Sequence, residues 1–399
     1  MKPGPTQRIL VACTLAAVAF ALLAVPAYAE KAELPRHTES YSWSSGLVSG
    51  KAAGDLTRKR AGHELAAAEL IFVPDAQWLR IIFSSARLGE ESYVELTSLS
   101  DGATQRLDAR TLREWSYSSA FFNGDAVEVK LFVGPTDRDV FVDVADVVVG
   151  DWPESTKSIC GTDDRVASSE PRVGRLVPIG CTGWIVDNGK YVTAGHCLDS
   201  SSAQIFEFNV PLSQSDGTIV HPGPEDQYAM IQSSFDFVNG GVGNDWGIFA
   251  VSDNPGTGLQ PIDAQGASFS VAQDLGPANI RITGFGVDSG SANQTNQTHV
   301  GPNAGSSGTT MRYATDTTGG NSGSPVIDNN SSRSVGVHTH GGCTSSGGNN
   351  SGTSLFHTGF WDALTGQTPS CAPKGASCVV DSDCCSNKCR GKAGAKTCK

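Results

Sequence analysis

Positive charge is in short supply along this chain. Against 41 aspartates and glutamates stand 29 lysines and arginines, a net charge of −12, so the electrostatic footprint that nucleic acid requires is missing. Long apolar runs are equally scarce. One extends from Ile9 to Val25, and no second run approaches the length needed to span a bilayer. Cysteine is absent between Cys13 and Cys160, so any fold in that stretch must rest on an apolar core of its own. Charged residues make up only 18%, while glycine reaches 46 positions. That balance is globular, rich in turns and β-dominated. A length of 399 residues suits two or three domains.

The apolar run at the start has a specific reading. Lys2 and Arg8 precede it, and Ala27-Tyr28-Ala29 follows it as a small-x-small cleavage site. Residues 1–29 therefore read as a secretory signal peptide, too short and wrongly flanked for a membrane anchor. Cys13 leaves with it, and the ten cysteines that remain read as disulfides in a secreted, extracellular protein.

From 30 to 157 the chain shows strand patterns at Trp78–Phe83, Ser92–Leu96, Ala126–Val133 and Val140–Val144. The last two alternate apolar with polar residues, as half-buried antiparallel strands do. Turn signals at Asn123-Gly124 and Gly134-Pro135 separate them. A small β-sandwich is expected here, either a pro-domain or a permanent accessory domain, with no reactive constellation in it.

The chemistry is concentrated further on. In Thr317-Thr318-Gly319-Gly320-Asn321-Ser322-Gly323-Ser324-Pro325-Val326, a serine lies between small residues just before an apolar strand-like run. Glycines let such a backbone fold tightly enough for its N–H groups to converge on one point, where a developing oxyanion can be held. Serine needs a base, and the base needs a group that fixes its tautomer. Thr193-Ala194-Gly195-His196-Cys197 and Asn244-Asp245-Trp246-Gly247-Ile248 supply both, with His196 as base, Asp245 as orienter and Ser322 as nucleophile.

Taken together these segments resemble the chymotrypsin-fold serine peptidases. From 158 to 366 the chain is most similar to their bacterial glutamyl-endopeptidase branch. Ser158-Ile159-Cys160-Gly161-Thr162-Asp163-Asp164-Arg165 looks like a mature start of that branch, which suggests processing after Lys157. Further likeness lies in Gly180-Cys181-Thr182-Gly183-Trp184-Ile185-Val186, in Asp245-Trp246-Gly247, in Thr317–Val326 and in Val335-Gly336-Val337-His338-Thr339. The resemblance implies an all-β fold of two packed antiparallel barrels with the triad in the cleft between them. His196 and Asp245 would come from the first barrel and Ser322 from the second, with the N–H groups of Gly320 and Ser322 as oxyanion donors. Asn321 occupies the place where trypsin-like relatives keep an aspartate that pairs with a new N-terminus, so activation must differ. Cys181 and Cys197 have the spacing of the disulfide that braces the histidine loop in this fold, which leaves Cys160 and Cys343 to pair with each other.

Specificity rests on a few positions. Thr317 and His338 match the pocket threonine and histidine of glutamyl endopeptidases, and a hydroxyl plus an imidazole are suitable donors to a substrate carboxylate. His340 is open to an assisting role or none. The stretch Thr339 to Gly341 should pair with the substrate backbone as an added strand. Asp316 argues the other way, since trypsin-like enzymes keep there the aspartate that binds Arg or Lys. Cleavage after Glu or Asp is expected, with a basic-residue preference as runner-up.

Beyond a linker from Gln367 come Cys371, Cys378, Cys384, Cys385, Cys389 and Cys398, which resemble a knottin. Spacing alone leaves fifteen pairings open. The resemblance implies Cys371–Cys385, Cys378–Cys389 and Cys384–Cys398. So small a unit must lean on its disulfides. Its lysines and arginines suggest either a binding module for an anionic surface or polymer, or an inert cap. Metal binding is disfavoured where thiols are oxidised, and the chemistry needs no cofactor. An endopeptidase acting on proteins or peptides, as a monomer, is the expectation. A non-catalytic binding protein on a peptidase scaffold is the rival, and the intact triad speaks against it.

Overall fold

The computed structural model describes residues 28–29, 32–51, 62–151, 157–200, 202–366, 388–392 and 395–398. Of the predicted signal peptide, residues 1–27 lie outside them, and its last two, Tyr28–Ala29, are described. Cys371, Cys378, Cys384 and Cys385 lie outside them too, and with them every pairing of the knottin-like tail. Of that tail a hairpin is described, Cys389–Lys392 against Ala395–Cys398, with Cys389 opposite Cys398.

Sheet follows from composition: runs such as Val173-Gly-Arg-Leu-Val-Pro and Cys181-Thr-Gly-Trp-Ile are buried at every position, as strands between two packed layers must be. The strands of residues 173–249 form one ring. Its order is Gln227–Ala229, Ala203–Glu207, Val173–Pro178, Cys181–Ile185, Tyr191–Thr193 and Asp245–Phe249. Met230 then pairs with Val251, and bonds from Ile231 N–H to Ala250 O and from Ser252 N–H to Ala229 O, each 2.9 Å, close it. Closure removes the exposed edges that an open sheet presents.

The second ring is built from residues 279–354. Ser334–Gly341 pairs with Pro325–Asp328, then follow Asn279–Gly284, Gln297–Ser307, Thr310–Tyr313 and Asn350–Ser354, and the last pairs back with Ser334–Gly341. Two closed antiparallel barrels therefore stand side by side. Between them lies a cluster with Val173, Trp184, Trp246, Phe285, Ile327 and Val337.

A helix that no sequence pattern announced, Thr358–Thr365, packs into this cluster through Phe360 and Leu364, one turn apart. Its N-cap is His357, whose ring nitrogen accepts from Phe360 N–H at 3.2 Å. Gly366 ends it with φ of 70°, the left-handed turn that favours glycine. Phe360 stacks on Trp246 with ring centroids 5.4 Å apart, and so braces the residue next to Asp245.

Residues 32–51 and 62–151 form a front unit of two four-stranded antiparallel sheets. One is ordered Arg36–Ser44, Phe141–Gly150, Trp78–Arg87, Phe122–Asn123; the other Glu64–Phe72, Ala126–Val133, Tyr93–Ser98, Thr104–Asp108. The expected strand Ala126–Val133 appears with that span, while four unforeseen strands, Arg36–Ser44, Glu64–Phe72, Thr104–Asp108 and Phe122–Asn123, complete the sheets. Their buried faces share one cluster, from Trp78 and Phe83 to Val127 and Leu131. Val177, Ile205, Ile219 and Ala229 of the first barrel belong to it as well.

Candidate active site

Ser322 sits in the tight turn between Thr317–Thr318 and the strand Pro325–Asp328. Two glycines make that turn possible. Gly320 has φ of 100°, and a Cβ there would stand 2.3 Å from Phe285 O. Gly323 has φ of 90°, and its Cβ would fall 2.1 Å from Thr182 O and 2.2 Å from Thr193 Oγ1. No side chain fits in either place. The absence of one at Gly323 lets the serine turn lie directly against Thr193-Ala194, the approach to His196. Thr182 binds the turn from the other barrel, its N–H donating to Ser322 O and its hydroxyl to Gly320 O, both at 2.8 Å.

His196 lies in the single turn of helix Gly195–Leu198, and Asp245 opens the strand Asp245–Phe249. Both are buried. Asp245 Oδ2 stands 2.7 Å from His196 Nδ1, and Oδ1 accepts the His196 backbone N–H at 3.0 Å. With Nδ1 against a carboxylate, the neutral ring carries its proton there and leaves a lone pair on Nε2. The aspartate is itself held by Thr353, which accepts from its N–H and donates to its carbonyl.

Among the described residues neither His196 Nε2 nor Ser322 Oγ has a hydrogen-bond partner, although both atoms are buried. Nor do the N–H groups of Gly320 and Ser322 find an acceptor among the described residues. Buried polar groups are almost always satisfied, and here four stand open close to one another. No hydrogen bond joins His196 to Ser322. Such base–nucleophile bonds are often long or poorly aligned without substrate.

The specificity positions gather close by. His338 and Thr317 are fully buried. His338 Nδ1 lies 2.7 Å from the Tyr313 hydroxyl, and Thr317 Oγ1 accepts from Asn350 Nδ2 at 2.8 Å. Asn350 went unnoticed in the sequence because it stands in a Gly/Asn-rich run that reads only as loop. Its side chain joins four segments, donating to Ser158 O, Thr315 O and Thr317 Oγ1 and accepting from the Ser158 hydroxyl and from Gly342 and Cys343 N–H. Lys157–Ser158 pairs with Thr317–Thr318, so the expected processing point borders the pocket. Cys160 is bonded to Cys343 and Cys181 to Cys197. The Asp316 carboxylate accepts the N–H groups of Cys160 at 2.8 Å and Asp164 at 2.9 Å, tying down the segment that follows Ser158. Asn321, which cannot make the ion pair of trypsin-like relatives, accepts from Thr318 N–H at 3.0 Å.

His340 stands next to the triad, its Nδ1 2.8 Å from Thr339 Oγ1 and 3.9 Å from Asp245 Oδ2. The edge of its strand is taken. Tyr28 pairs with Gly341 and Ala29 with His340, while Ala32 N–H donates to Gly180 O and Leu34 N–H to Pro178 O, both at 2.8 Å. The edge expected to receive a substrate backbone thus carries, in this full-length chain, the last two residues of the predicted leader.

Three comparisons bear on this site. Over 209 residues the chain is 31% identical to a glutamyl endopeptidase of Bacillus licheniformis, an alignment covering 47% of this chain and 63% of that protein. The chain therefore spans less than two thirds of that relative's length. Among solved structures, a Glu endopeptidase in complex with MPD is 22% identical with a TM-score of 0.38, over 52% of this chain and 97% of that one. A thermostable serine protease from an extremophilic microorganism is 16% identical, TM-score 0.38, over 48% and 94%. Residues 181–337, which hold His196, Asp245 and Ser322, match the family model of the trypsin-like peptidase domain.

Proposed function

We propose that the protein is a serine endopeptidase with Ser322 as nucleophile, His196 as general base and then acid, and Asp245 as orienter. The observation that carries this reading is the arrangement of open valences around Ser322: an imidazole fixed by a buried carboxylate, a hydroxyl, and two N–H groups, all without partners among the described residues. Ser322 Oγ attacks the scissile carbonyl carbon while its proton passes to His196 Nε2. The oxyanion is held by the Gly320 and Ser322 N–H groups. The His196 proton then goes to the leaving amine, and water attacks the acyl-enzyme with His196 again as base.

Preference for Glu or Asp before the scissile bond follows from the pocket. His338 and Thr317 match the pocket histidine and threonine of glutamyl endopeptidases, an imidazole and a hydroxyl being suited to a substrate carboxylate, and His338 Nδ1 lies against the Tyr313 hydroxyl. Thr317 Oγ1 accepts from Asn350, which fixes its side chain in this place. Asp316, the basis for a basic-residue preference, is engaged by Cys160 and Asp164. Export with loss of the leader belongs to the same reading, as does a tail that either binds an anionic surface or polymer or serves as an inert cap. Two chromogenic peptides, one ending in Glu and one in Arg, test it: preferential hydrolysis of the Glu peptide is expected. Preference for Arg would overturn the pocket assignment, and hydrolysis of neither would overturn the endopeptidase.

A further inference from the structure

The front unit meets the first barrel through a contact built like a protein interior. Gln227, fully buried on the barrel, uses both ends of its side-chain amide on one residue: Phe121 N–H donates to its Oε1 at 2.9 Å, and its Nε2 donates to Phe121 O at 2.8 Å. Asn123 of the front unit returns the arrangement. Its Oδ1 accepts His221 N–H at 2.8 Å and its Nδ2 donates to His221 O at 3.0 Å. Each amide reproduces a rung of a β-ladder, so each side completes the other's backbone bonding. Arg80, also of the front unit, reaches across to the Gln204 side-chain oxygen and is anchored by Ser118 Oγ and Ser119 O.

Around these bonds the packing is aromatic. The ring of His221 stacks on Phe121 with centroids 4.7 Å apart, and Trp78 meets it edge-on at 5.3 Å. Beneath His221 the barrel holds Glu207 at 2.6 Å and Arg175, whose Nη2 is 2.8 Å from the Glu207 carboxylate; all three side chains are fully buried. Taking the front unit away would strip Phe121 and Trp78 from this group and expose apolar surface from Val177, Ile205, Ile219 and Ala229 on one side and the front core on the other. A segment meant to be shed presents a surface that water can cover cheaply. Here both faces carry core-like apolar side chains around paired amides.

We propose that the front unit is a retained subunit: after the chain is cut just before Ser158, residues 32–151 stay bound to the barrels through the socket of Phe121, Asn123, His221 and Gln227. The cut ends do not oppose this. Lys157–Ser158 lies at the pocket, paired with Thr317–Thr318, while the socket engages residues 204–229 of the other barrel. The contact and the processing point are separate places in the fold, so cleavage at one leaves the other intact.

The experiment uses the full-length chain carrying Ser322→Ala, to suppress self-cleavage, with a recognition sequence for an unrelated protease placed at 152–156. After complete cutting, size exclusion at neutral pH and again in 1 M salt should return both fragments in one peak. Separate peaks at micromolar concentration would overturn the proposal. A second chain, Asn123→Ala with Gln227→Ala, checks the place of contact. Loss of four hydrogen bonds should weaken the association of the cut fragments by a factor of about ten or more, while circular dichroism of the uncut chain keeps its β signature. Unchanged affinity in that variant would overturn the socket as the seat of binding.

Discussion

Among the described residues, the imidazole–carboxylate pairs His196–Asp245 and His221–Glu207 are both buried, and they have opposite surroundings. His196 Nδ1 and Asp245 Oδ2 are 2.7 Å apart; His221 Nδ1 and Glu207 Oε1 are 2.6 Å apart. In both, the far ring nitrogen lacks a hydrogen-bond partner among the described residues. Around His196, however, lie a serine hydroxyl and two open N–H groups. Around His221 lie the face of Phe121, the edge of Trp78 and the Arg175 guanidinium, which neutralises Glu207. A carboxylate that fixes an imidazole is therefore not evidence of chemistry by itself. What the second nitrogen faces decides between reaction and packing.

Exchanging parts of the two pairs should break this comparison most visibly at the nucleophile. Ser322→Ala is expected to lower kcat by up to about a millionfold, with unfolding by urea unchanged. Asp245→Asn should cost about 10⁴-fold in kcat by favouring the wrong tautomer of His196. The matching change in the other pair, Glu207→Gln, should leave kcat near its original value. It strands Arg175 in a dry site, so stability should fall by about 3–5 kcal/mol in denaturant titration. If Glu207→Gln instead abolished turnover in folded protein, the two pairs would not differ as described.

The pairs also differ toward acid. Burial holds the His221 imidazole below its ordinary range, against the pull of Glu207. Burial pushes the Glu207 carboxyl up, but His221 and Arg175 outweigh it and the net direction is down. For both groups the unfolded chain binds protons more readily than the folded one, so stability rises with pH. The His221 contribution is complete above about pH 6.5 and drains away as pH falls from there toward its folded value. The Glu207 contribution is lost at lower pH still. Melting temperature measured from pH 8 to 4 should fall on the acid side, and His221→Phe should flatten the upper part of that fall. A smaller effect concerns the occupied edge of Ser334–Gly341: a chain beginning at Pro35 should react faster with small active-site reagents than one that retains Tyr28–Leu34.

What could be read in advance follows the same division. Ser322, His196 and Asp245, the residues proposed to carry the chemistry, stood out in the sequence because each lies in a distinctive local segment, with small residues before and after the serine. Cys181 and Cys197 were legible from their spacing with respect to His196. Asn350 was not, because its bonds to Ser158, Thr315, Thr317, Gly342 and Cys343 depend on chain segments that meet only in the folded barrel. Glu207 and His221 were likewise invisible. A glutamate ending the strand Ala203–Glu207 reads as solvent-facing until Arg175, two strands away in sequence, arrives beside it. The front strands were found where alternation is strict, as at Ala126–Val133, and missed at Arg36–Ser44, where most side chains are exposed and no period stands out.

The most direct test of the whole account is covalent labelling by a fluorophosphonate followed by peptide mass spectrometry. One phosphonyl adduct on Ser322 is predicted, formed more slowly in Asp245→Asn and at the original rate in Glu207→Gln. A folded protein that takes up no reagent, or takes it up on another residue, would contradict it.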